Sequence, residues 1–196
     1  VPMLIWMADE QANVSYANKA LLHFVGLEDY HEFTGKVWES VVHPDEVELI
    51  YEVYQTAVRD RQAYTLELRY RNAMTGTFEW HLVSGVPRYV NNQFAGMICT
   101  GVNIHERKLA EAALRQSEQR FRLMADAVPQ IVWITDAQGR VEFFNKQWSN
   151  YTGVPYEPTT AAAVAANHVH PDDGPATIDG GELARVATRL RDAPEP

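Results

Sequence analysis

One stretch of this chain occurs twice. Residues 1–19 read VPMLIWMADEQANVSYANK, and residues 128–146 read VPQIVWITDAQGRVEFFNK. The offset of 127 positions persists beyond these segments: Gly26 answers to Gly153, Val37 to Val164, and Val42-His43-Pro44-Asp45 to Val169-His170-Pro171-Asp172. A gapless offset this long exceeds the ~20–50 residues of a solenoid unit and matches a whole small domain plus a linker. The chain therefore reads as two domains of one type, 1–104 and 128–196, joined by a linker at 105–127. It opens on Val1 directly at a motif and closes on Pro-Glu-Pro before the second copy has run its length. The expectation is a piece of a larger protein with its second domain truncated.

In the first copy, Leu4–Ala8 and Val14–Ala17 are short β-prone runs around a polar turn, a hairpin. The repeat carries Gly139 in that turn, where a positive φ is wanted. Asn18 is placed to cap a short helix, Lys19–Val25, closed by Gly26. Short helical turns are expected at Glu28–Phe33 and Val37–Val41. His43-Pro44-Asp45-Glu46 reads as a helix start, with Asp45 and Glu48 at capping-box spacing. Val47, Ile50, Tyr51, Tyr54 and Val58 then mark one apolar face of a long helix over 45–61.

Tyr64–Arg71 alternates strictly, as a half-buried antiparallel strand does. Phe78–Ser84 is the next strand, broken or bulged by Gly85 and Pro87. Asn91-Asn92 is a hairpin turn, and Phe94–Ile104 is the last strand. Strands at both ends with helices between them predict an α+β fold with one antiparallel sheet. Residues 105–127 are polar and rich in helix formers, with Glu111/Arg115 and Glu118/Arg122 at i,i+4 spacing. Ala110, Leu114, Ser117, Phe121 and Met124 recur in a 4-3-4-3 pattern, a heptad seam with small residues in some core slots. That seam predicts a dimeric coiled coil. In the second copy, Gly174-Pro175 and Gly180-Gly181 interrupt the long helix, and helical character returns at 182–192. With two strands only, 128–196 is expected to be loosely folded unless a partner completes it.

Net charge is −9, which argues against nucleic acid and against an anionic membrane surface. No apolar run approaches the ~20 residues that span a bilayer. The single cysteine, Cys99, has no internal partner, and a reducing, cytoplasmic setting fits.

Taken in order, these residues resemble the PAS domain family. The resemblance rests on Trp6, Asp9, Asn18, Gly26, His43-Pro44-Asp45-Glu46, Gly76, Trp80 and the tail Gly101–Lys108 (GVNIHERK). In the second copy it rests on Trp133, Asp136, Gly139, Asn145, Gly153 and His170-Pro171-Asp172-Asp173. The resemblance implies a PAS-like five-stranded antiparallel sheet with helices on one face, a linker helix, and a second, truncated PAS-like domain. It also implies a PAC-type tail, signalling through Asn103, Ile104, Glu106 and Arg107, and a homodimer formed through the linker helix and PAS surfaces. Asn103 stands where the family usually has Asp, so the resemblance implies weaker coupling to the exit helix or coupling through another pair. The downstream partner it implies is a histidine kinase in a two-component phosphorelay. A diguanylate cyclase or chemoreceptor output stays open, as does a ligand-free interaction module.

The long helix has no histidine to match haem-binding relatives, and no segment matches the cysteine motif of flavin-binding light sensors. The cofactor is therefore unknown. The sequence offers no catalytic residue. His105-Glu106-Arg107 shares letters with a phosphoacceptor motif but stands where the family has a structural one. His43 and His170, the latter with His168, Asp172 and Asp173 nearby, are candidate metal ligands by residue type, but the His-Pro-Asp segment has a structural explanation as a helix start, so no metal site is assigned. A small-molecule pocket, if filled, is expected among Tyr51, Tyr54, Leu66, Leu68, Trp80, Leu82, Ile98, Cys99 and Thr100.

Overall fold

The computed structural model describes residues 2–33, 37–170 and 172. It divides into two compact units, 1–112 and 113–196.

In the first unit, β1 (Leu4–Ala8) and β2 (Val14–Ala17) form the expected hairpin. The Asp9 carboxylate shapes its turn by accepting the N–H groups of Gln11 and Asn13, each at 2.9 Å. α1 (Lys19–Val25) follows, capped by Asn18, whose Oδ1 accepts the Leu21 N–H at 3.0 Å. The same oxygen accepts the Ile5 N–H and the side-chain amide donates to Met3 O, so one residue ties helix to hairpin. A 3₁₀ turn (Tyr30–Phe33), α2 (Trp38–Val41), a second 3₁₀ turn (Pro44–Glu46) and α3 (Val47–Asp60) lead to three long strands. These are β3 (Tyr64–Arg71), β4 (Phe78–Val90) and β5 (Gln93–Asn103).

The five strands form one antiparallel sheet in the order β2-β1-β5-β4-β3. The last strand therefore lies at the centre, between the opening hairpin and the β3–β4 pair. The buried apolar residues of α1, α2 and α3 pack with one face of this sheet, where Leu68, Val83, Met97 and Cys99 are fully buried.

Two local expectations need correction. β4 does not stop at Ser84 but continues to Val90; of the break or bulge expected at Gly85 and Pro87 it is the bulge that forms, as a register irregularity between Pro87 and Tyr89. Gly85 serves this strand sterically: a Cβ there would stand 2.2 Å from the ring of Tyr64 on the neighbouring strand. The capping box at Asp45 and Glu48 does not form either. The nitrogen Nδ1 of His43 accepts the Asp45 N–H at 3.3 Å, and α3 starts at Val47 without a side-chain cap.

The His43–Glu46 segment has a second job that the sequence did not disclose. β3 is an edge strand, and an open edge leaves backbone groups unpaired. Here His43 N–H donates to Arg69 O at 2.8 Å, and the Glu46 carboxylate accepts both the Arg69 N–H and its Nε, each at 2.6 Å. Val42 pairs with Tyr70 in an isolated bridge alongside. The motif closes the sheet edge.

α4 (His105–Ala127) contributes its first turns to the first unit and the rest to the second. The second unit repeats the opening of the first, with β6 (Trp133–Thr135), β7 (Val141–Phe144) and α5 (Lys146–Thr152), then α6 (Ala161–His168). The likeness extends to detail. Asp136 accepts the N–H groups of Gln138 and Arg140 as Asp9 does those of Gln11 and Asn13, and the hairpin register shifts at the equivalent place. Asn145 is 2% exposed, accepts the Val132 N–H and donates to Ala125 O and Gln130 O, so it ties the end of α4 to the second hairpin. The side chains of Trp133, Phe144 and Trp148 stack in sequence, with Phe144 and Trp148 4.2 Å apart. His168 packs edge-on against Trp148 at 4.9 Å. The interruptions at Gly174-Pro175 and Gly180-Gly181, and the helix expected at 182–192, lie outside the described residues.

Candidate functional site

A cavity lies between the inner face of the sheet and the helices of the first unit. It offers about 50 Å³ to the centre of a water molecule, and about 610 Å³ when the open solvent space at its mouth is included. β1 supplies Trp6 and Ala8, the hairpin Ala12 and Val14, and α1 Leu21. Phe33, Trp38, Val41 and Val42 come from the short helical turns; Ile50, Tyr51 and Tyr54 from α3; and Tyr64 and Tyr70 from β3. Tyr51 is exposed and Tyr54 buried, so α3 turns one tyrosine toward solvent and one inward.

The aromatic walls are held in place by polar contacts. Tyr54 donates its hydroxyl proton to Asp9 O at 2.6 Å. The Tyr64 hydroxyl lies 3.4 Å from Cys99 Sγ. Burial pushes the Tyr54, Tyr64 and Tyr70 hydroxyls well above the usual phenol range, so all three stay protonated at neutral pH. Burial likewise pushes the Cys99 thiol up to about 11, which leaves it a thiol rather than a reactive thiolate.

Of the residues expected to line a pocket, the structure brings Tyr51 and Tyr54 to it. Leu66, Leu68 and Cys99 are on the correct face but belong to the packed core beside it. Trp80, Leu82, Ile98 and Thr100 are on the opposite face, where they alternate with the buried His81, Val83, Met97 and Cys99. On β4 the expected pair is one residue out of step, and a one-residue shift moves every side chain to the other face; on β5 three consecutive residues are expected, and only Cys99 among them faces in. The residues missed by the sequence reading include Trp6, Tyr64 and Tyr70; the last two share the alternating face of β3 already recognised.

A polar junction lies where β5 ends and α4 begins. Asn103 Nδ2 donates to Glu79 Oε2 at 2.7 Å, and Asn103 Oδ1 accepts the His105 N–H at 2.8 Å. The other Glu79 oxygen accepts from Asn72 at 2.7 Å. Ile104 N–H donates to Trp80 O, and Lys108 N–H to Ile104 O. Arg107 reaches Glu67 on β3 at 2.8 Å and Glu111 one turn on at 3.0 Å, and Lys108 pairs with Glu67 while lying over Trp80. These ion pairs hold the Glu67 carboxyl below the usual range. Glu106 is exposed. Glu79 and Glu67, which are not among the coupling residues expected from the sequence, are the strand-side halves of the contact.

Asn103 now has a physical reason. Its side-chain partner on β4 is the Glu79 carboxylate, so an aspartate there would set two like charges at hydrogen-bond distance. Asn103→Asp is expected to destabilise the first unit by about 2 kcal/mol at neutral pH. The loss should shrink in acid and be largely restored by adding Glu79→Gln. Urea unfolding of the single and double variants at two pH values checks this.

His81 links the two regions. It is buried on β4, stacks on the cavity residue Tyr70 with ring centroids 5.4 Å apart, and donates Nδ1–H to Glu79 O at 3.0 Å. Burial, opposed by that bond, holds its pKa below the ordinary 6.5. The unfolded chain therefore binds the proton first. Stability is expected to be full above pH 6.5 and to fall as pH drops below it toward the lowered value. A His81→Gln variant should lose that part of the slope in thermal melts between pH 7.5 and 5.

Among the described residues, no group of three or more His, Cys, Asp or Glu could hold a metal ion, and no helix is long and apolar enough to cross a membrane. The seam residues Ala110, Leu114, Ser117, Phe121 and Met124 are all exposed on α4. Phe121 is partly engaged, packing edge-on to Phe143 at 5.1 Å.

Comparison with known proteins agrees with this architecture. The family described as PAS fold matches residues 14–101, and the family described as PAS domain matches 119–187. The uncharacterized protein y4lL of Sinorhizobium fredii is 27% identical over 170 residues, covering 83% of this chain and 20% of its own length. The peroxide stress-activated histidine kinase mak1 of Schizosaccharomyces pombe is 22% identical over 180 residues, covering 88% of this chain and 11% of its own. The hybrid signal transduction histidine kinase H of Dictyostelium discoideum is 39% identical over 49 residues, 25% of this chain and 4% of its own. The chain thus spans a fifth or less of the length of these relatives. Among solved structures, a sensory box histidine kinase/response regulator from Burkholderia thailandensis matches with a TM-score of 0.48 and 22% identity, covering 61% of this chain and 90% of that one. The PAS domain of a protein from Colwellia psychrerythraea matches with a TM-score of 0.45 and 23% identity, covering 53% and 87%. With both family matches falling on the two repeats and a five-stranded antiparallel sheet in the first, the chain belongs to the PAS domain family.

Proposed function

We propose that this chain is the sensory and dimerisation region of a cytoplasmic signal-transduction protein, with a histidine kinase as its output. Residues 1–104 are the sensing domain, 105–127 the coupling helix, and 128–196 the second PAS domain. The observation that carries the reading is the continuity from cavity to helix. Tyr70 lines the cavity, His81 stacks on it, and Glu79 beside His81 holds the residue from which α4 departs. A ligand that repacks the cavity wall can bias the geometry of that junction, provided it binds the two arrangements unequally. The named histidine kinases among the relatives support the choice of output. None of the residues described has a catalytic role in this reading; the chemistry belongs to the output domain.

The apolar stripe of α4 is the dimer seam, with Leu114 63% and Met124 58% exposed. Native mass spectrometry of the whole chain tests the reading. A dimer weakened by Leu114→Glu, with a co-purified small molecule or a cavity able to take one up, is the expected result. A monomer at high micromolar concentration that takes up no small molecule would contradict it.

A further inference from the structure

The cavity's lining limits what it can hold. Among the described residues, every side chain on it is apolar or aromatic, and no lysine, arginine, histidine or carboxylate lines it. Two carboxylates lie near enough to act on its tyrosines, Asp9 on Tyr54 and Glu46 on Tyr70. Both are committed elsewhere. Asp9 is held by the N–H groups of its own turn and by the Asn13 side chain. Glu46 is held by the Arg69 backbone and guanidinium. An anion or a cation entering this space would shed its hydration with no free counter-charge among the described lining residues to replace it.

The walls favour a flat partner. Trp6 meets Tyr70 and Tyr54 meets Tyr64 edge-on, at 6.3 and 6.2 Å. Rings set at such angles present both faces and edges, which offset-stacked or edge-to-face contacts with another ring require. The polar handle has a defined sense as well. A backbone carbonyl can only accept, so the Tyr54 proton is spent on Asp9 O, and toward anything else that oxygen acts as an acceptor.

Resting on the reading of this cavity as a ligand site, we propose that its ligand is a neutral, flat aromatic molecule carrying an N–H or O–H donor recognised by the Tyr54 oxygen. The test is titration of the full chain with four probes: indole, 1-methylindole, indole-3-carboxylate and benzyltrimethylammonium. Affinity is read by calorimetry, and location by ring-current shifts of the Ala8 and Ala12 methyl resonances, both on the cavity wall. Indole is expected to bind about fivefold more tightly than 1-methylindole, the factor of one modest hydrogen bond. Both ions should bind at least about tenfold more weakly than indole. Tyr54→Phe should erase the difference between the two indoles while both still bind. Equal binding of either ion, with the same methyl shifts, would overturn the ligand class and leave the cavity reading standing. Equal binding of the two indoles to the unaltered chain would overturn the donor assignment. Failure of every probe to shift either methyl would overturn the cavity reading itself.

Discussion

Gly96→Ala is expected to unfold the first unit, with a loss above about 4 kcal/mol against the ~5–15 kcal/mol that holds a typical domain. Gly96 has φ +94° in β5, and a Cβ there would stand 2.0 Å from Ala8 O and 2.8 Å from Asp9 Cα. Both obstacles are backbone, so no side chain can swing aside. Relief requires β1 and β5 to part, and these strands join the opening hairpin to the rest of the sheet. The same movement would carry away Asp9 O, the acceptor of the Tyr54 hydroxyl, and with it one wall of the cavity. Near-ultraviolet circular dichroism and urea unfolding give the answer; a variant with wild-type signal and midpoint would show that the strand tolerates the side chain.

The next largest effect is expected from Glu46→Ala, a loss of about 3 kcal/mol. Glu46 is 8% exposed and satisfies two donors of Arg69 at once. Its removal strands a backbone N–H on the sheet edge and leaves a half-buried guanidinium, lying 5.3 Å from the Trp80 ring, without its nearest counter-charge. Removing one partner of a buried pair costs more than removing both. The double variant Glu46→Ala/Arg69→Met should therefore recover part of the loss. Denaturant midpoints for the three proteins decide it: equal loss in single and double variants would mean that the carboxylate acts through packing alone.

The parts of this fold that were legible in the sequence are those fixed by short-range patterning. Tyr64–Arg71 alternates cleanly, and its buried face was read correctly. Asn18 and Gly26 bracket α1 as a cap and a left-handed closing residue should. β4 is less legible, because in FEWHLVS every position before Ser84 carries a sizeable side chain and there is no polar–apolar alternation to follow. Trp80 is the largest of them and faces outward, where Arg69 and Lys108 cover it; the smaller His81 faces inward. The cavity was only partly legible, since it joins Trp6 to Tyr54, Tyr64 and Tyr70 across long sequence separations. The edge-closing role of His43–Glu46 depends on which strand lies beside it, and that is a property of the assembled sheet. The same holds for Glu79, whose importance appears only when register sets it near Asn103.

The central claim is that the cavity and the start of α4 are coupled. Hydrogen exchange of the full chain, with and without saturating indole, tests it most directly. Changed protection is expected in the cavity-lining elements and, in addition, about a fivefold change for amides of 103–112. Changed protection confined to the cavity-lining elements, with 103–112 untouched, would contradict it.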